Sequence, residues 1–239
     1  MSEQLLLDRY LADGQEAVLQ RAQWACDTHE FYGLQPESAV IIGSRALDMY
    51  GIDGRPPVYA NGIRTGHIDL DVVAPPSEVA RFKRDHYNPY DESGLDVFDE
   101  QESHHNFQLA HGDRQIDVLG KFYRGDKYKV DFDIAAATAQ PITVEDRPGT
   151  YMVQVPEIAA EWKLTAGGVK DVLAVMFAHA SAYRQGHGIV ASPAWQRQVR
   201  LAVDMSGRLH PTHQPDWFVE LHADAQGVTR HPAFASLAS

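Results

Sequence analysis

The sequence predicts an α+β protein in which a mixed-sheet region, residues 1–155, is followed by a helical region, residues 156–239. Two observations lead to this fold class. Short β-branched runs of alternating polarity are typical of strands and recur through the first region, whereas apolar residues at helical spacing follow Pro156. Hydrophobic residues make up 44% of the chain and charged residues 23%, which is the composition of a globular protein.

The first region begins with a predicted helix over residues 3–31, with a break expected at Asp13-Gly14. Residues 39–42 form a short β-branched run that stops at Gly43-Ser44, and residues 45–50 are predicted to be helical. Residues 51–66 contain four glycines and two prolines, so we expect a loop there.

Three strand-like regions follow: residues 67–74, a hairpin of residues 106–110 and 115–119 with Gly112 at its turn, and residues 128–134. The acidic, turn-rich stretch 85–105 between the first two is predicted to be an exposed loop. The second region is predicted to contain helices over residues 157–182 and 193–205, and the tail from Gly207 carries no assignment.

The charge of the chain restricts its partners. Lys and Arg total 21 against 33 Asp and Glu, a formal net charge of −12, all of it within residues 1–150. A net negative charge disfavours a protein that coats nucleic acid without sequence preference. Residues 151–239 are neutral overall, so a local basic face can still exist there. The N-terminus MSEQLLLDRY does not resemble a signal peptide, and no apolar run reaches the length of a membrane span. We therefore expect a cytoplasmic protein without a membrane segment; the single cysteine, Cys26, excludes an intrachain disulfide.

The most informative segment is the predicted strand HIDLDVV. Because side chains alternate between the faces of a strand, Asp69 and Asp71 project together while their apolar neighbours face a core. Two adjacent carboxylates repel each other, and a divalent cation between them favours their ionised forms. Paired carboxylates holding Mg²⁺ suit phosphoryl or nucleotidyl transfer. The competing interpretation is an ordinary solvated strand face.

Two further features favour the metal interpretation. Asp117 lies among apolar residues in RQIDVL, on a second strand that can lie beside the first. Gly43-Ser44 ends one strand and opens a helix, where free N–H groups and a hydroxyl can hold phosphates. Asp131 and Asp133 in KVDFDI are an alternative source of the third carboxylate, and we favour Asp117 because KVDFDI leads directly into the helical region.

GSRALDMYG, HIDLDVV and RQIDVL in this order resemble the nucleotidyltransferase superfamily that has the DNA polymerase β-type palm. The segment VQVPEIAAEWKLTAGGVKDVLAV is similar to the helical part after the palm in AbiEii-like and related bacterial members. The resemblance covers roughly residues 38–178 and is carried by these short motifs. It implies a mixed-sheet palm followed by a helical C-terminal part, and transfer of a nucleoside monophosphate from an NTP such as ATP to an acceptor, with release of pyrophosphate.

The resemblance also implies roles for individual residues. Gly43 and Ser44 would bind the triphosphate, and Asp69 and Asp71 would hold two Mg²⁺ or Mn²⁺ ions. Asp117 would be the third ligand and the candidate base. On the helical part, the residues facing the phosphates would be Lys163 and Lys170, which are seven positions apart and so on one side of a continuous helix. Asp171 would orient Lys170 or only balance its charge.

The chain departs from the family pattern at three places. The Ser or Thr that often precedes the first Asp is absent, and Gly66-His67-Ile68 stands in its place. The 24 residues between Ser44 and Asp69 are about twice the usual number, so residues 51–66 form an insertion whose Arg55 or Arg64 can contact substrate. Gly167-Gly168 interrupts the helix that carries the two lysines, and we expect a bend there.

The sequence does not identify the acceptor, for which we consider tRNA, a protein or a small-molecule hydroxyl. A toxin-type enzyme with a cognate antitoxin is one form that this function can take. The alternative function is a non-catalytic member of the same fold that binds a nucleotide or a partner protein. The histidines lack a compact metal-binding spacing, and Cys26 and Trp162 are predicted to be core residues.

Overall fold

The structure is a computed structural model that describes residues 11, 14–54, 69–86, 106–111, 114–124, 128–209, 231–235 and 237. It confirms a mixed α+β architecture. The contacts divide the chain into two compact units, which we call the helical unit (Met1–Val18, Gly51–Gly66 and Ala160–Ser239) and the sheet unit (Leu19–Tyr50 and His67–Ala159).

Eight α-helices lie in the described residues: α1 Gly14–Phe31, α2 Gly43–Met49, α3 Pro76–His86, α4 Phe132–Ala137, α5 Pro156–Ala166, α6 Val169–Arg184, α7 Pro193–Ser206 and α8 Pro232–Ala235. A 3₁₀ turn spans Gly188–Ala191. The strands are β1 Val40–Ile41, β2 Asp69–Val73, β3 Asn106–His111, β4 Arg114–Leu119, β5 Lys121–Arg124, β6 Tyr128–Asp131, β7 Ala139–Ile142 and β8 Tyr151–Gln154.

Six strands form one mixed sheet in the order β3-β4-β2-β1-β8-β7. Strand β2 pairs in parallel with β4 and antiparallel with β1, while β1 pairs in parallel with β8. The hairpin β3–β4 forms one edge and β7, paired with β8, forms the other. Strands β5 and β6 form a separate antiparallel pair. The predicted pairing of residues 106–110 with 115–119 is therefore confirmed, while Gly112, predicted at the turn, lies outside the described residues.

One face of the central strands supplies the core of the sheet unit. Leu70 and Val72 on β2 are fully buried, and so are Ile116 and Val118 on β4. They alternate with half-buried polar residues, as the period of two in a strand requires. The alternation that predicts the strands therefore also determines which side chains leave the core.

In the helical unit, the predicted helix over residues 157–182 is two helices, α5 and α6. Gly167, with φ +69, lies between them, so the predicted bend is a complete break. The helix predicted over residues 193–205 is confirmed as α7, which begins at Pro193 and is capped by Ser192 accepting a hydrogen bond from the Trp195 N–H.

Three elements of the helical unit meet at His179 of α6. The Trp195 Nε1–H of α7 donates to His179 Nδ1 at 3.0 Å, which leaves His179 Nε2 to donate to the Ala233 carbonyl at 2.8 Å. These bonds satisfy a ring that is almost completely buried.

The structure corrects two further expectations. The strand predicted over residues 128–134 ends at Asp131, whose side chain caps α4 by accepting a hydrogen bond from the Ile134 N–H at 3.3 Å. Helix α3 was not predicted, and it includes Asp85 and His86, which were expected to begin the exposed loop 85–105. Residues 3–10, 12–13, 55–68, 87–105 and 210–230 lie outside the described residues, and with them part of the predicted first helix and most of the two predicted loops.

The helices that the structure describes include none with the length and apolar character needed to cross a bilayer.

The C-terminal half of α1 carries a buried polar group against β8. His29 is fully buried, its ring packs edge-on against Tyr151 with 5.5 Å between centroids, and neither ring nitrogen has a hydrogen-bond partner. Tyr151 donates a 2.6 Å hydrogen bond to Glu30. Cys26 is also fully buried, which confirms it as a core residue, and burial raises the pKa of its thiol to about 11.

We expect His29 to make folding sensitive to acid. Burial lowers the pKa of His29 to about 4 from its ordinary 6.5, so between these values the unfolded chain binds the proton and the folded chain does not. The burial of neutral His29 does not reduce the free energy of unfolding above about pH 6.5. As the pH drops towards 4 the free energy of unfolding decreases, by about 2 kcal/mol between pH 7 and pH 4.5.

The measurement is urea unfolding at both pH values for the wild type and His29→Phe, which keeps a ring but cannot titrate. The wild type should lose about 2 kcal/mol more than the variant between the two pH values. An equal loss in both proteins contradicts the prediction.

Candidate metal centre

The candidate site lies on the polar face of the parallel pair β2–β4. In this pair Asp71 lies opposite Asp117, and Asp69 lies opposite Gln115. Paired residues in register share a face of the sheet. All three predicted carboxylates therefore project from the same face, and the fully buried Leu70, Val72, Ile116 and Val118 project from the other.

The three carboxylates approach closely enough to share a cation. One oxygen from each of Asp69, Asp71 and Asp117 lies within 4.8 Å of the other two, and all three residues are half-buried. Of the described Asp, Glu, His and Cys side chains, these are the ones that form such a group. An ordinary solvated strand face would leave Asp69 and Asp117 far apart, and the approach of their carboxylates does not fit that interpretation.

The surroundings of Asp117 change its pKa. Burial raises the pKa of its carboxyl group, hydrogen bonding from Gln108 and Gln115 lowers it, and the negative charge of Asp69 raises it; the net shift is upward. Its Oδ1 is buried and has no hydrogen-bond partner. A buried carboxylate oxygen without a donor is costly unless a cation or a proton occupies that side.

The donor set determines which metal fits. All the ligand atoms in the group are carboxylate oxygens, which suit hard divalent cations such as Mg²⁺, Mn²⁺ or Ca²⁺ and not the nitrogen and sulfur preference of zinc. The residues therefore fit the predicted Mg²⁺, and the unpartnered Asp117 Oδ1 is the observation that supports this fit.

The Gly43-Ser44 turn lies directly beside the carboxylates. The Ile42 N–H donates to the Asp71 carbonyl at 3.0 Å, and the chain then turns into α2 at Gly43, whose φ is +69. A Cβ atom on Gly43 would lie 2.9 Å from Asp71 Oδ2. Both the backbone conformation and this contact require glycine here. Ser44 follows as a half-buried residue of α2.

The alternative third carboxylate does not join this group. Asp131 is occupied in capping α4, and Asp133 is an exposed residue of that helix. Since Phe132 already belongs to α4, the two residues do not alternate on a strand as KVDFDI suggests.

The two predicted phosphate-binding lysines lie in the helical unit on different helices. Lys163 is on α5 and nearly buried, whereas Lys170 is on α6 and exposed. Lys163 Nζ lies 3.6 Å from Asp171 Oδ1, so Asp171 pairs with Lys163 and the expectation that it orients Lys170 is corrected. Because the chain breaks between α5 and α6 at Gly167-Gly168, the two lysines do not lie on one continuous helix, and their seven-residue spacing does not place them on one side of it. Trp162 is buried, as predicted.

Two predicted substrate contacts lie outside the described residues, Arg55 and Arg64 of the insertion.

Gln108 and Gln115 are site residues that the sequence reasoning missed. Gln108 lies opposite Asp117 across the β3–β4 hairpin, and Gln115 precedes Asp117 by two residues on the same face. The predicted hairpin contained the signal for Gln108, because a turn at Gly112 and the alternation of both strands place it on the carboxylate face.

Comparisons with protein families, with curated proteins and with solved structures find no significant match to this chain.

We expect Gly43→Ala to destabilise the fold through Asp71. Gly33 also has a positive φ, +66, but a Cβ there meets nothing within 4 Å. Each alanine substitution costs about 1–2 kcal/mol of backbone strain, and only Gly43→Ala adds a clash with the Asp71 carboxylate. Urea unfolding of both variants measures the difference, which should show Gly43→Ala as the less stable. Equal losses contradict the close contact.

Proposed function

We propose that this protein is a Mg²⁺-dependent nucleotidyltransferase that moves a nucleoside monophosphate from an NTP to an acceptor hydroxyl. The observation that carries the proposal is the register of β2 and β4, which brings Asp69, Asp71 and Asp117 together on one face. The Gly43-Ser44 turn adjoins this group at Asp71. The order of these residues along the chain, Gly43-Ser44 first, then Asp69 and Asp71, then Asp117, is that of the motifs that resemble the nucleotidyltransferase superfamily.

The metal-binding residues in this proposal are Asp69, Asp71 and Asp117. Their oxygens would hold two Mg²⁺ ions, or Mn²⁺, which when bound neutralise the charge that develops on the transferring phosphoryl group. The three negative charges need such neutralisation, because carboxylate oxygens within 4.8 Å of one another repel.

Asp117 is the proposed general base. In the reaction the acceptor oxygen forms a bond to the α-phosphorus, the bond from that phosphorus to the pyrophosphate breaks, and the hydroxyl proton moves to Asp117. This role follows from the resemblance and from the position of Asp117 among the three clustered carboxylates.

The remaining proposed roles concern the phosphates. The Ser44 hydroxyl and the backbone N–H groups of the Gly43-Ser44 turn would hold the triphosphate beside Asp71, where glycine permits a close backbone approach. Lys163 and Lys170 are proposed phosphate contacts on the resemblance alone. Arg64 is a proposed contact because it belongs to the insertion between Ser44 and Asp69. Lys163 pairs with Asp171, with 3.6 Å between Nζ and Oδ1.

The acceptor is proposed only as a class: a hydroxyl of tRNA, of a protein or of a small molecule. The formal charge of −12 opposes the approach of RNA, whereas the neutral C-terminal part of the chain does not. A toxin-type enzyme with a cognate antitoxin remains within this proposal. The competing function is a non-catalytic relative that binds a nucleotide or a partner protein.

We expect an NTP to stabilise the protein only in the presence of Mg²⁺. A ligand that binds the folded state alone stabilises it by mass action, by about 2.7 kcal/mol at a hundredfold excess over the dissociation constant. Thermal unfolding with each of the four NTPs, with and without Mg²⁺, measures this effect and identifies the donor. The doubly substituted Asp69→Asn/Asp71→Asn protein should lose the shift.

The matched control is Asp133→Asn, which removes one exposed carboxylate from the same unit and should keep the shift. Stabilisation that does not depend on Mg²⁺, or that survives in the double variant, contradicts the proposed metal centre and favours the non-catalytic alternative.

We also expect Asp117→Asn to abolish most of the transfer activity. Loss of a general base costs about 10²–10⁴-fold in rate, and this variant loses a metal ligand as well. Transfer is followed with NTP labelled at the α-phosphate, supplied with RNA, protein and small-molecule fractions of a cell extract. Label that enters no fraction with wild-type protein, despite Mg²⁺-dependent NTP binding, supports the non-catalytic alternative. Asp133→Asn again serves as the control, with unchanged transfer.

A further inference from the structure

The side chains around Asp117 are arranged asymmetrically. Asp71 lies on one side of it, on β2, and Gln108 lies on the other, on β3. Directly paired residues on neighbouring strands have Cα atoms about 4.5–5.5 Å apart, within reach of a glutamine side chain. Gln115, two residues earlier on β4, is the neighbour of both Asp117 and Asp69, since Asp69 lies opposite it.

The alternation of side chains along β3 determines the face of the sheet on which Gln108 lies. Its neighbours Phe107 and Leu109 are buried on the apolar face, so the alternation of β3 places the half-buried Gln108 on the carboxylate face. The same alternation places Gln115 there, because Ile116 faces the core. Two amide side chains therefore flank Asp117, one across the hairpin and one along its own strand.

Both amides lie on the face of the sheet that carries the Asp117 carboxylate, Gln108 directly opposite Asp117 and Gln115 two residues before it on the same strand. An amide NH₂ donates and carries no charge, so it stabilises the carboxylate without competing with a cation for the site. At the same time Oδ1 of Asp117 remains without a hydrogen bond.

We infer that Gln108 and Gln115 are positioning residues, which hold the Asp117 carboxylate by amide donation with Oδ1 left free for a divalent cation. The inference rests on the proposed metal centre and adds to it the residues that fix the orientation of one ligand. Partners that orient a metal ligand without touching the metal typically contribute 10–100-fold to metal affinity.

The choice of cation separates positioning from a general structural effect. Mg²⁺ demands near-ideal octahedral geometry, whereas Ca²⁺ accepts flexible and irregular ligand sets. A carboxylate that is free to rotate therefore weakens Mg²⁺ binding more than Ca²⁺ binding. Partial unfolding of the sheet would instead weaken the binding of both ions.

The experiment measures Mn²⁺ binding by electron paramagnetic resonance of the free ion, with Mg²⁺ and Ca²⁺ affinities obtained by competition. The variants are Gln108→Met and Gln115→Met, which keep the side-chain length and remove the amide. Gln140→Met is the matched control, because Gln140 is an exposed glutamine on β7, the edge strand opposite to β3.

We expect each site variant to lose about 10–100-fold in Mg²⁺ affinity, a smaller factor in Ca²⁺ affinity, and Gln140→Met to bind both ions like the wild type. Unchanged Mg²⁺ affinity in both site variants, or equal losses for the two ions, overturns the positioning role and leaves the proposed function intact. A wild-type protein that binds none of the three ions overturns both.

Discussion

The parallel pairing of β2 with β4 is the constraint on which the candidate site depends. This register places Leu70, Val72, Ile116 and Val118 in the core and forces three carboxylates together on the opposite face. Carboxylates this close repel each other when they are ionised. Burial of the four apolar side chains favours the packing that holds the carboxylates together, and a bound cation would relieve the repulsion.

The neighbouring strand β1 completes the arrangement by bringing a sharp turn to Asp71. Since β1 is antiparallel to β2, its last residues run past Asp71, and the chain enters α2 at Gly43 with almost no space above the carboxylate. Because β1 is paired with β2 in the sheet, this pairing determines the distance between the Gly43-Ser44 turn and the Asp71 carboxylate. Gln108 extends the same polar surface to the edge strand β3. The proposed chemistry thus draws on four segments that are distant in the sequence but adjacent in the sheet.

Much of this site was predictable because it depends on local alternation. HIDLDVV and RQIDVL each show which residues face a core, and the structure confirms that Asp69, Asp71 and Asp117 share the other face. KVDFDI shows the same alternation but was misleading, because Asp131 caps α4 and the helix begins at the next residue. Alternation alone cannot distinguish a strand from a cap followed by a short helix, since both begin with an extended residue.

The sequence by itself determined the fold class, the central strands and the carboxylate residues, because hydrophobic periodicity and glycine positions are local properties of the chain. Only the tertiary structure decided that β2 lies beside β4 in a register pairing Asp71 with Asp117, that Gln108 and Gln115 flank Asp117, and that Asp171 pairs with Lys163 and not with the adjacent Lys170. Strand order, register and ion pairing across a helix break depend on contacts between residues far apart in the chain or separated by a turn. A periodic pattern carries no information about those contacts until the core has packed.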